Sequence, residues 1–291
     1  MNLTYLLTAE AIDPEQTIVL RHRPKEPALA KVLPWLAEER PDLFEVFQSA
    51  QGQQLEKAMS KARYIASFVA HGPGRALFVG MYELTGSTSI PMQTFWDWPG
   101  NAELRAFGMQ GPSEDDPRTE ILMFQQQHLD SYAHWKGKLI IDWPPPERSW
   151  WRRAHQNEMP VHAILEDSAL ERGMPHWTEL VLSWDELNVL PRRWRETLSQ
   201  WRGIYFIRDR SDGKAYVGSA AGADNLFGRW KNYAETGHGG NKLLRKRDPQ
   251  NFVFSVLQRT SPDMTIEEIV QLEAGWKVRL GTHALDGLND N

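Results

Sequence analysis

One acidic residue lies on the apolar face of a predicted helix near the end of the chain. Thr265 and Glu268 form a capping box that begins this helix, and Gly281 ends it. The apolar residues at helical spacing, which we expect to be buried, are Ile266, Ile269, Val270, Trp276 and Leu280. Glu273 falls on the same face, where an ionised carboxylate is costly unless a cation or hydrogen bonds compensate. A divalent cation with one carboxylate ligand would explain Glu273, and so would a salt bridge to a buried arginine.

An arginine and a tyrosine share one face of an earlier predicted helix, Leu226–Tyr233. Arg229 and Tyr233 are four residues apart, which places their side chains one above the other. A guanidinium near a bound metal suits a phosphodiester, whose transition state gathers negative charge on oxygen. By itself such a pair is more often an ordinary surface pair.

Two further tyrosines lie on a predicted β-hairpin. Its strands are Gly203–Asp209 and Lys214–Ser219, joined by a turn that ends in Asp212-Gly213. Tyr205 is on the first strand, and Tyr216 follows it by eleven residues on the second. A short helical segment and a third strand complete the region at Asn241–Arg247 and Asn251–Gln258.

The hairpin tripeptides Gly203-Ile204-Tyr205 and Tyr216-Val217-Gly218 resemble the two-part signature of the GIY-YIG nucleases. Three more residues match the pattern in order: Arg229 thirteen residues after Tyr216, Glu273 on the late helix, and Asn289 near the end of the chain. The resemblance covers about ninety residues, roughly a third of the chain.

The resemblance implies a three-stranded sheet flanked by helices and phosphodiester hydrolysis with one divalent metal, Mg²⁺ or Mn²⁺. Glu273 would be the sole protein ligand of that metal, and Arg229 would hold the scissile phosphate. Tyr205 and Tyr216 would flank the attacking water, one of them as general base, and which one stays open. Asn289 would orient the phosphate or the base.

Other residues of this region match the family pattern less closely. Tyr233 stands one turn after the arginine, where members carry tyrosine or histidine, and His238 in the next loop could assist the leaving group. Ser219 departs from members that have lysine just after the second tripeptide. The lysines near enough in sequence to replace that phosphate contact are Lys214, Lys231 and Lys242.

The composition excludes several classes of protein. The chain has 291 residues and no cysteine, so disulfides, thiolate catalysis and cysteine-bound zinc are excluded. It has no long apolar run that could cross a membrane and no signal-peptide pattern at its start, and we expect a cytoplasmic protein. The net charge is −5, but residues 202–291 hold 13 Lys and Arg against 11 Asp and Glu. A mildly positive last third is compatible with nucleic-acid binding.

We expect an α+β fold in three parts: residues 1–182, a helical connector over 183–201, and the nuclease-like 202–291. Ser183 and Glu186 form a capping box at the start of the connector, and Pro191 should interrupt it. The predicted strands of the first part are Thr17–His22, Tyr64–Val69, Ala76–Leu84, Ile121–Gln125, Lys138–Trp143 and Pro160–Leu165. Its predicted helices are Pro27–Glu39 and Leu55–Lys61.

The first part also holds an aromatic cluster. Tyr64–Leu84 predicts two strands around a His-Gly-Pro-Gly turn and faintly resembles modified-base readers with PUA-like barrels. Trp96 and Trp98, within Phe95–Trp98, could stack on a flipped base. The alternatives for these tryptophans are other contacts with DNA, packing in the core, and a protein interface. Arg21-His22-Arg23 offers either phosphate contacts or an ordinary solvated surface.

The resemblance and the sequence together predict a DNA endonuclease directed by its first domain, for restriction of or defence against foreign DNA, including modified DNA. A structure-specific repair nuclease and a nucleic-acid-binding protein with a silent nuclease fold are the alternatives, and RNA is an alternative substrate. Cutting both strands of a duplex needs two active sites or two successive events, so a homodimer is one arrangement left open.

Overall fold

The computed structural model describes residues 1–113, 115–171, 173–222, 225–284 and 286–290. The chain divides into two units, Met1–Arg172 and Gly173–Asn291. Both mix helices with largely antiparallel sheets, which confirms the predicted α+β class.

The first unit contains five helices and seven strands among its described residues. The helices are α1 (Leu3–Ala9), α2 (Pro27–Glu39), α3 (Pro41–Ser49), α4 (Gln53–Met59) and α5 (Asn101–Ala106). The strands are β1 (Thr17–His22), β2 (Tyr64–Ala70), β3 (Arg75–Pro91), β4 (Glu120–His128), β5 (Leu139–Asp142), β6 (Trp151–Arg153) and β7 (Val161–Ile164).

These strands form one sheet in the order β6-β1-β2-β3-β5-β7, with β4 pairing the far half of β3. The β1–β2 pair is parallel and the other pairs are antiparallel. β2 and β3 form the hairpin that the His-Gly-Pro-Gly sequence predicts, and Gly72 and Gly74 supply the positive φ angles of its turn. The described pairings trace an open sheet, in which β6 and β7 lie at the two ends.

Both faces of this sheet are covered. Val19 of β1 packs into one buried cluster with α1, while its neighbours Ile18 and Leu20 pack into another with α4. Every residue of β1 is buried, including Arg21 and His22, so these two do not form part of a solvated surface. A strand buried on both faces has a continuous apolar run instead of alternation.

The second unit holds a four-stranded antiparallel sheet in the order β10-β9-β11-β8. Its strands are β8 (Val181–Ser183), β9 (Gly203–Asp209), β10 (Ala215–Ala220) and β11 (Phe252–Arg259). Its helices are α6 (Trp184–Asn188), α7 (Arg192–Gln200), α8 (Asn225–Thr236) and α9 (Ile266–Leu280). The capping boxes predicted for α6 and α9 are both present.

A fourth strand is the main difference from the three-stranded sheet that the resemblance implies. β8 pairs with β11, with Ser183 opposite Val253. This pairing, together with the packing of α6 and α7 on α8, draws residues 183–201 into the second unit instead of leaving them as a separate connector.

The apolar face predicted for α9 is wrong at three positions. Ile266, Val270 and Leu280 are 63%, 54% and 42% exposed. The stripe that meets the sheet runs instead through Ile269, Leu272, Glu273, Trp276 and Lys277. Ile266 and Leu280 lie in the end turns of the helix and Val270 on its flank, so the sheet does not cover them. No described helix combines the length and apolar character needed to cross a bilayer.

Candidate active site of the second unit

Three tyrosines from three elements converge beside the edge strand β10. They are Tyr205 on β9, Tyr216 on β10 and Tyr233 on α8. The ring centroid of Tyr205 lies 6.3 Å from that of Tyr216 and 6.1 Å from that of Tyr233, and the centroids of Tyr216 and Tyr233 are 5.7 Å apart. The hydroxyl of Tyr205 donates a hydrogen bond to the hydroxyl of Tyr233 at 3.2 Å. The hairpin register and the helical spacing therefore bring together the residues that the sequence singled out.

Gly218 makes room for this cluster. It lies opposite Tyr205 in the hairpin, and a Cβ atom added to it would stand 2.5 Å from the Tyr205 hydroxyl oxygen and 2.8 Å from the Tyr216 ring. Any side chain here would push the phenols apart, which is a steric reason for the last glycine of the second tripeptide.

The two hairpin tyrosines differ in accessibility. Tyr205 is fully buried, whereas Tyr216 keeps part of its side chain exposed. Burial raises the pKa of Tyr205 well above its ordinary value, and burial likewise raises the pKa of Tyr216. Both phenols are therefore neutral near pH 7 unless a nearby positive charge stabilises the phenolate.

Arg229 projects from α8 at the end of β10. Its Nε donates to the carbonyl oxygen of Ser219 at 3.4 Å. The phenol of Tyr205 raises the pKa of Arg229 above its usual value, and Tyr233, Tyr216 and Glu273 raise it further. Desolvation by burial opposes this rise in the pKa but is outweighed. The guanidinium is thus a permanent positive charge close to every other residue of the cluster.

Glu273 reaches the same place from α9. The Ser219 hydroxyl donates to Glu273 Oε2, and Lys277 Nζ forms an ion pair with Glu273 Oε1 at 2.9 Å. The side chains of Glu273 and Lys277 are only 16% and 8% exposed. Because β10 is the edge strand, side chains from α8 on one face of the sheet and α9 on the other meet around it.

A cavity of about 440 Å³ opens at this edge. Its lining residues are Ser219, Ala221, Gly222, Asn225, Gly228, Arg229 and Ile266. Ile266, predicted as core, is therefore part of the cavity wall. Arg229 is the charged residue among these described lining residues.

Asn289 does not face the cavity, although the resemblance implies that it orients the phosphate or the base. Its Oδ1 accepts from the Val217 backbone N–H at 2.9 Å, and its Nδ2 donates to the Val217 carbonyl at 2.7 Å. Asn289 is 1% exposed. Both of its polar groups hold the outer edge of β10, so it positions the strand that carries Tyr216.

Asn289→Ala is expected to lower the free energy of unfolding by about 2–4 kcal/mol, since it leaves two buried backbone groups of Val217 unpaired. Chemical denaturation followed by circular dichroism measures this change. Asn232→Ala, at an exposed position on α8, is the matched control and should change stability by no more than about 0.5 kcal/mol. Equal effects of the two substitutions would show that the Val217 contacts contribute nothing specific.

His238 belongs to a loop that packs on Tyr233. Its Nδ1 accepts from the Gly240 backbone N–H at 2.9 Å, and its own N–H donates to Thr236 Oγ1. A Cβ atom on the intervening Gly239 would stand 2.5 Å from the Tyr233 ring. The described hydrogen bonds of His238 are thus local, and the loop supports the cluster through Tyr233.

The three lysines predicted to replace the missing phosphate contact lie apart from Glu273. Lys231 pairs with Glu235 on the exposed side of α8, and Lys242 lies 3.9 Å from Asp290. Lys214 lines a different cavity, with Arg247 and Asp248 among its neighbours. The cation nearest the carboxylate is instead Lys277, which sequence reasoning missed although it follows Glu273 by four residues on one helix.

The chain matches no protein-family model, and a search of curated proteins finds no relative. Two solved structures are similar to part of it. A variant of the catalytic domain of the intron endonuclease I-TevI is 22% identical, covering 32% of this chain and 95% of that domain, with a TM-score of 0.27. The catalytic domain of the homing endonuclease I-TevI is 26% identical, covering 31% of this chain and 98% of that domain, with a TM-score of 0.26. TM-scores this low establish neither the fold nor the activity of the present chain.

Of the two explanations for a carboxylate at Glu273, the structure shows the ion pair, with Lys277 in place of the expected arginine. The Glu273 carboxylate has about four lone-pair sites, and two contacts from Ser219 and Lys277 leave acceptor capacity on both oxygens. Among the described residues there is no group of three or more Asp, Glu or His that would enclose a metal. A cation here would therefore be held by one carboxylate, with water and a substrate phosphate as the other ligands.

The predicted aromatic site of the first unit is not assembled as expected. Trp96 packs between the guanidinium of Arg105, 4.9 Å from its ring, and Gly111. Trp98 is half-buried. A cavity of about 470 Å³ does exist in this unit, but the aromatic residues lining it are Phe47, Phe95 and Trp150. Trp96 and Trp98 are not among the described residues that line that cavity.

Proposed function

We propose that the second unit hydrolyses phosphodiester bonds in DNA with one divalent cation held by Glu273. The observation that carries this proposal is the convergence on one strand edge of three tyrosines, an arginine and a carboxylate from four separate elements. This cluster contains a cation that can bind phosphate, a phenol that can accept a proton and a carboxylate that can hold a metal ion, which are groups that phosphodiester hydrolysis uses.

Each side chain has a role in this reaction that follows from its position. Arg229, exposed at the cavity, binds the non-bridging oxygens of the scissile phosphate. Tyr216, partly exposed, accepts a proton from the attacking water, while the buried Tyr205 and Tyr233 hold its ring in place. Glu273 fixes the cation, which when bound neutralises phosphate charge and lowers the pKa of nearby water and phenols.

Tyr216→Phe is expected to lower the single-turnover cleavage rate by about 10²–10⁴-fold, because it removes the accessible proton acceptor but keeps the ring. Tyr205→Phe should cost less, since that hydroxyl is fully buried and donates to Tyr233. A phenol whose pKa is raised must lose its proton to act as a base, so the wild-type rate should increase with pH below that pKa. Tyr216→Phe should abolish that increase. A larger loss from Tyr205→Phe would reverse the assignment.

The first unit would direct the nuclease to its target, and we propose restriction of foreign or modified DNA as its role. A repair nuclease that recognises DNA structure is the second candidate. Comparing cleavage of modified and unmodified plasmid with cleavage of nicked and branched duplexes separates these two, and an RNA substrate tests the remaining class.

A homodimer would place two sites on opposite strands, and sedimentation with and without DNA would detect it.

A binding protein with a silent nuclease fold is the alternative from a different class. Glu273→Ala distinguishes it, because a binding protein would keep both its DNA affinity and its biological effect after this substitution. A nuclease would keep binding but lose the effect.

A further inference from the structure

The cavity of about 470 Å³ in the first unit has no role in the chemistry proposed for the second unit. Its lining comes from the end of β1, the loop between β1 and α2, helix α3 and the segment that follows α5. Its volume falls within the range of small-molecule sites, roughly 300–1,000 Å³. In such sites a few polar groups set in an apolar wall select the ligand, so the lining indicates what this cavity would hold.

Three aromatic side chains line the cavity: Phe47, Phe95 and Trp150. Phe95 is buried and Phe47 half-buried, whereas the Trp150 side chain is 37% exposed. The Trp150 backbone is tied to the sheet, because its carbonyl accepts from the Arg21 backbone N–H at 2.7 Å. An exposed indole on a fixed backbone beside a cavity offers a flat surface on which a planar ring can stack.

The cavity wall also carries a histidine whose protonation state is set by its surroundings. His22 is 4% exposed, and burial lowers its pKa to about 4, so the ring is neutral at pH 7. Its Nε2 lies 3.2 Å from Gln48 Oε1, an oxygen that also accepts from the Ser67 hydroxyl. Because an amide oxygen only accepts hydrogen bonds, Nε2 carries the ring proton and Nδ1 is an acceptor.

Gln51 provides a second acceptor in the same lining. It is 6% exposed, and its Nε2 donates to the Gln48 carbonyl at 2.7 Å. Within the described part of the chain, no donor reaches Gln51 Oε1 or His22 Nδ1. Since both residues line the cavity, a ligand with two N–H donors would satisfy two acceptors that the protein leaves unpaired.

The lining has a net positive charge. Arg23 and Lys25, on the loop between β1 and α2, are exposed and line the cavity. Arg118 also lines it, but its guanidinium pairs with two carboxylates at 2.6 and 2.7 Å. The same loop contributes one carboxylate, Glu26, which offsets one of the two exposed cations. An anionic group, such as a phosphate, suits this side of the cavity.

We propose that this cavity binds a nucleotide whose base carries an exocyclic amino group. The amino group would donate to His22 Nδ1 and Gln51 Oε1, the base would stack on Trp150, and the phosphate would lie by Arg23 and Lys25. Adenine and cytosine present this donor, whereas hypoxanthine and uracil have a carbonyl oxygen at the same position.

The inference does not rest on the proposed nuclease function. The nucleotide can be a free one, or one turned out of a DNA strand, because the chemistry of recognition is the same for both. The two sources are separated by experiment.

The first test is titration calorimetry of the full chain in EDTA with four deoxynucleoside monophosphates, dAMP, dIMP, dCMP and dUMP. We expect dAMP to bind at least ~10-fold more tightly than dIMP, or dCMP than dUMP, because a carbonyl oxygen leaves both acceptors unpaired. The nucleoside without its phosphate should bind more weakly than the nucleotide. Equal affinities within both pairs would overturn the assignment of His22 and Gln51.

The second test places substitutions in the cavity. Trp150→Ala should weaken nucleotide binding by about 10-fold or more, the usual cost of losing one base–aromatic stack. Its matched control is Tyr5→Ala, which removes an exposed aromatic side chain of the same unit that is not among the lining residues. The control should bind as the wild type does, and circular dichroism of both variants checks that the fold is kept.

A charge variant tests the phosphate contact. Arg23→Gln combined with Lys25→Gln should weaken binding of the nucleotide more than binding of the nucleoside. Lys57→Gln combined with Lys61→Gln removes the same charge from exposed positions of the same unit and should change neither. If the two double variants behave alike, the phosphate does not lie by Arg23 and Lys25.

The source of the nucleotide is tested with a fluorescent duplex, by anisotropy in EDTA. A nucleotide taken from DNA requires that Trp150→Ala weaken duplex binding, whereas a free nucleotide leaves duplex binding unchanged and only the titrations respond. If Trp150→Ala matches Tyr5→Ala for every nucleotide and for the duplex, the cavity is not a nucleotide site, even where the wild type cuts DNA. Selective nucleotide binding by a wild type that cuts no DNA would support this inference and contradict the proposed function.

Discussion

Glu273→Gln is expected to reduce DNA cleavage by at least ~10³-fold, because the amide cannot replace a carboxylate as the single anionic ligand of a divalent cation. Glutamine keeps the shape of the side chain and can still accept a hydrogen bond from Ser219. Titration calorimetry with Mn²⁺ gives a second measure that does not depend on turnover, and the variant should lose the metal binding seen with the wild type.

Glu267→Gln is the matched control for this substitution. Glu267 is on the same helix, but it is exposed in the first turn and is not among the residues that line the cavity. It should cleave and bind metal as the wild type does. The thermal midpoint of each variant separates lost chemistry from lost structure, since Glu273→Gln leaves Lys277 as a buried cation without its carboxylate. If Glu273→Gln stays folded and cuts at the wild-type rate, Glu273 is not the metal ligand.

Arg229→Ala is expected to lower the cleavage rate by about 10²–10³-fold, the usual cost of removing one group that stabilises transition-state charge. The guanidinium is exposed and its one described hydrogen bond is to the Ser219 carbonyl, so the fold should survive. Because the lost interaction is with charge that develops during the reaction, the effect should fall on kcat more than on DNA affinity.

Two further substitutions sharpen this prediction. Arg229→Lys keeps the charge but loses the planar fork, and it should recover only part of the rate. Arg208→Ala removes an exposed arginine from β9 and should leave the rate unchanged. If Arg208→Ala and Arg229→Ala reduce cleavage equally, the loss reflects net charge and not a defined contact with the scissile phosphate.

The elements that carry the site could be predicted where local signals set them. Thr265, Glu268 and Gly281 bound α9 because capping groups satisfy the free backbone groups of its two ends. Gly203–Asp209 and Thr17–His22 are strands with the predicted bounds. Arg229 and Tyr233 share a face of α8 because their spacing matches the helical period.

Other features depend on contacts between distant segments, and no local pattern reports them. β8 is three residues long and exists because it pairs with β11, about seventy residues later. α3, at Pro41–Ser49, was missed because its polar side chains, among them Gln48, are buried by hydrogen bonds to residues of β2 and β4. The roles of Asn289 and Lys277 are set by Val217 and Glu273, partners that the tertiary fold places beside them.

The most direct measurement is cleavage of plasmid and linear duplex DNA by the full chain with Mg²⁺, with Mn²⁺ and with EDTA. A protein that carries both Glu273→Gln and Arg229→Ala is tested alongside. We predict cutting by the wild type with either metal, none in EDTA, and none by the double variant under any condition. Cutting that persists in EDTA or in the double variant, or intact DNA under every condition, would contradict a metal-dependent DNA nuclease centred on Glu273 and Arg229.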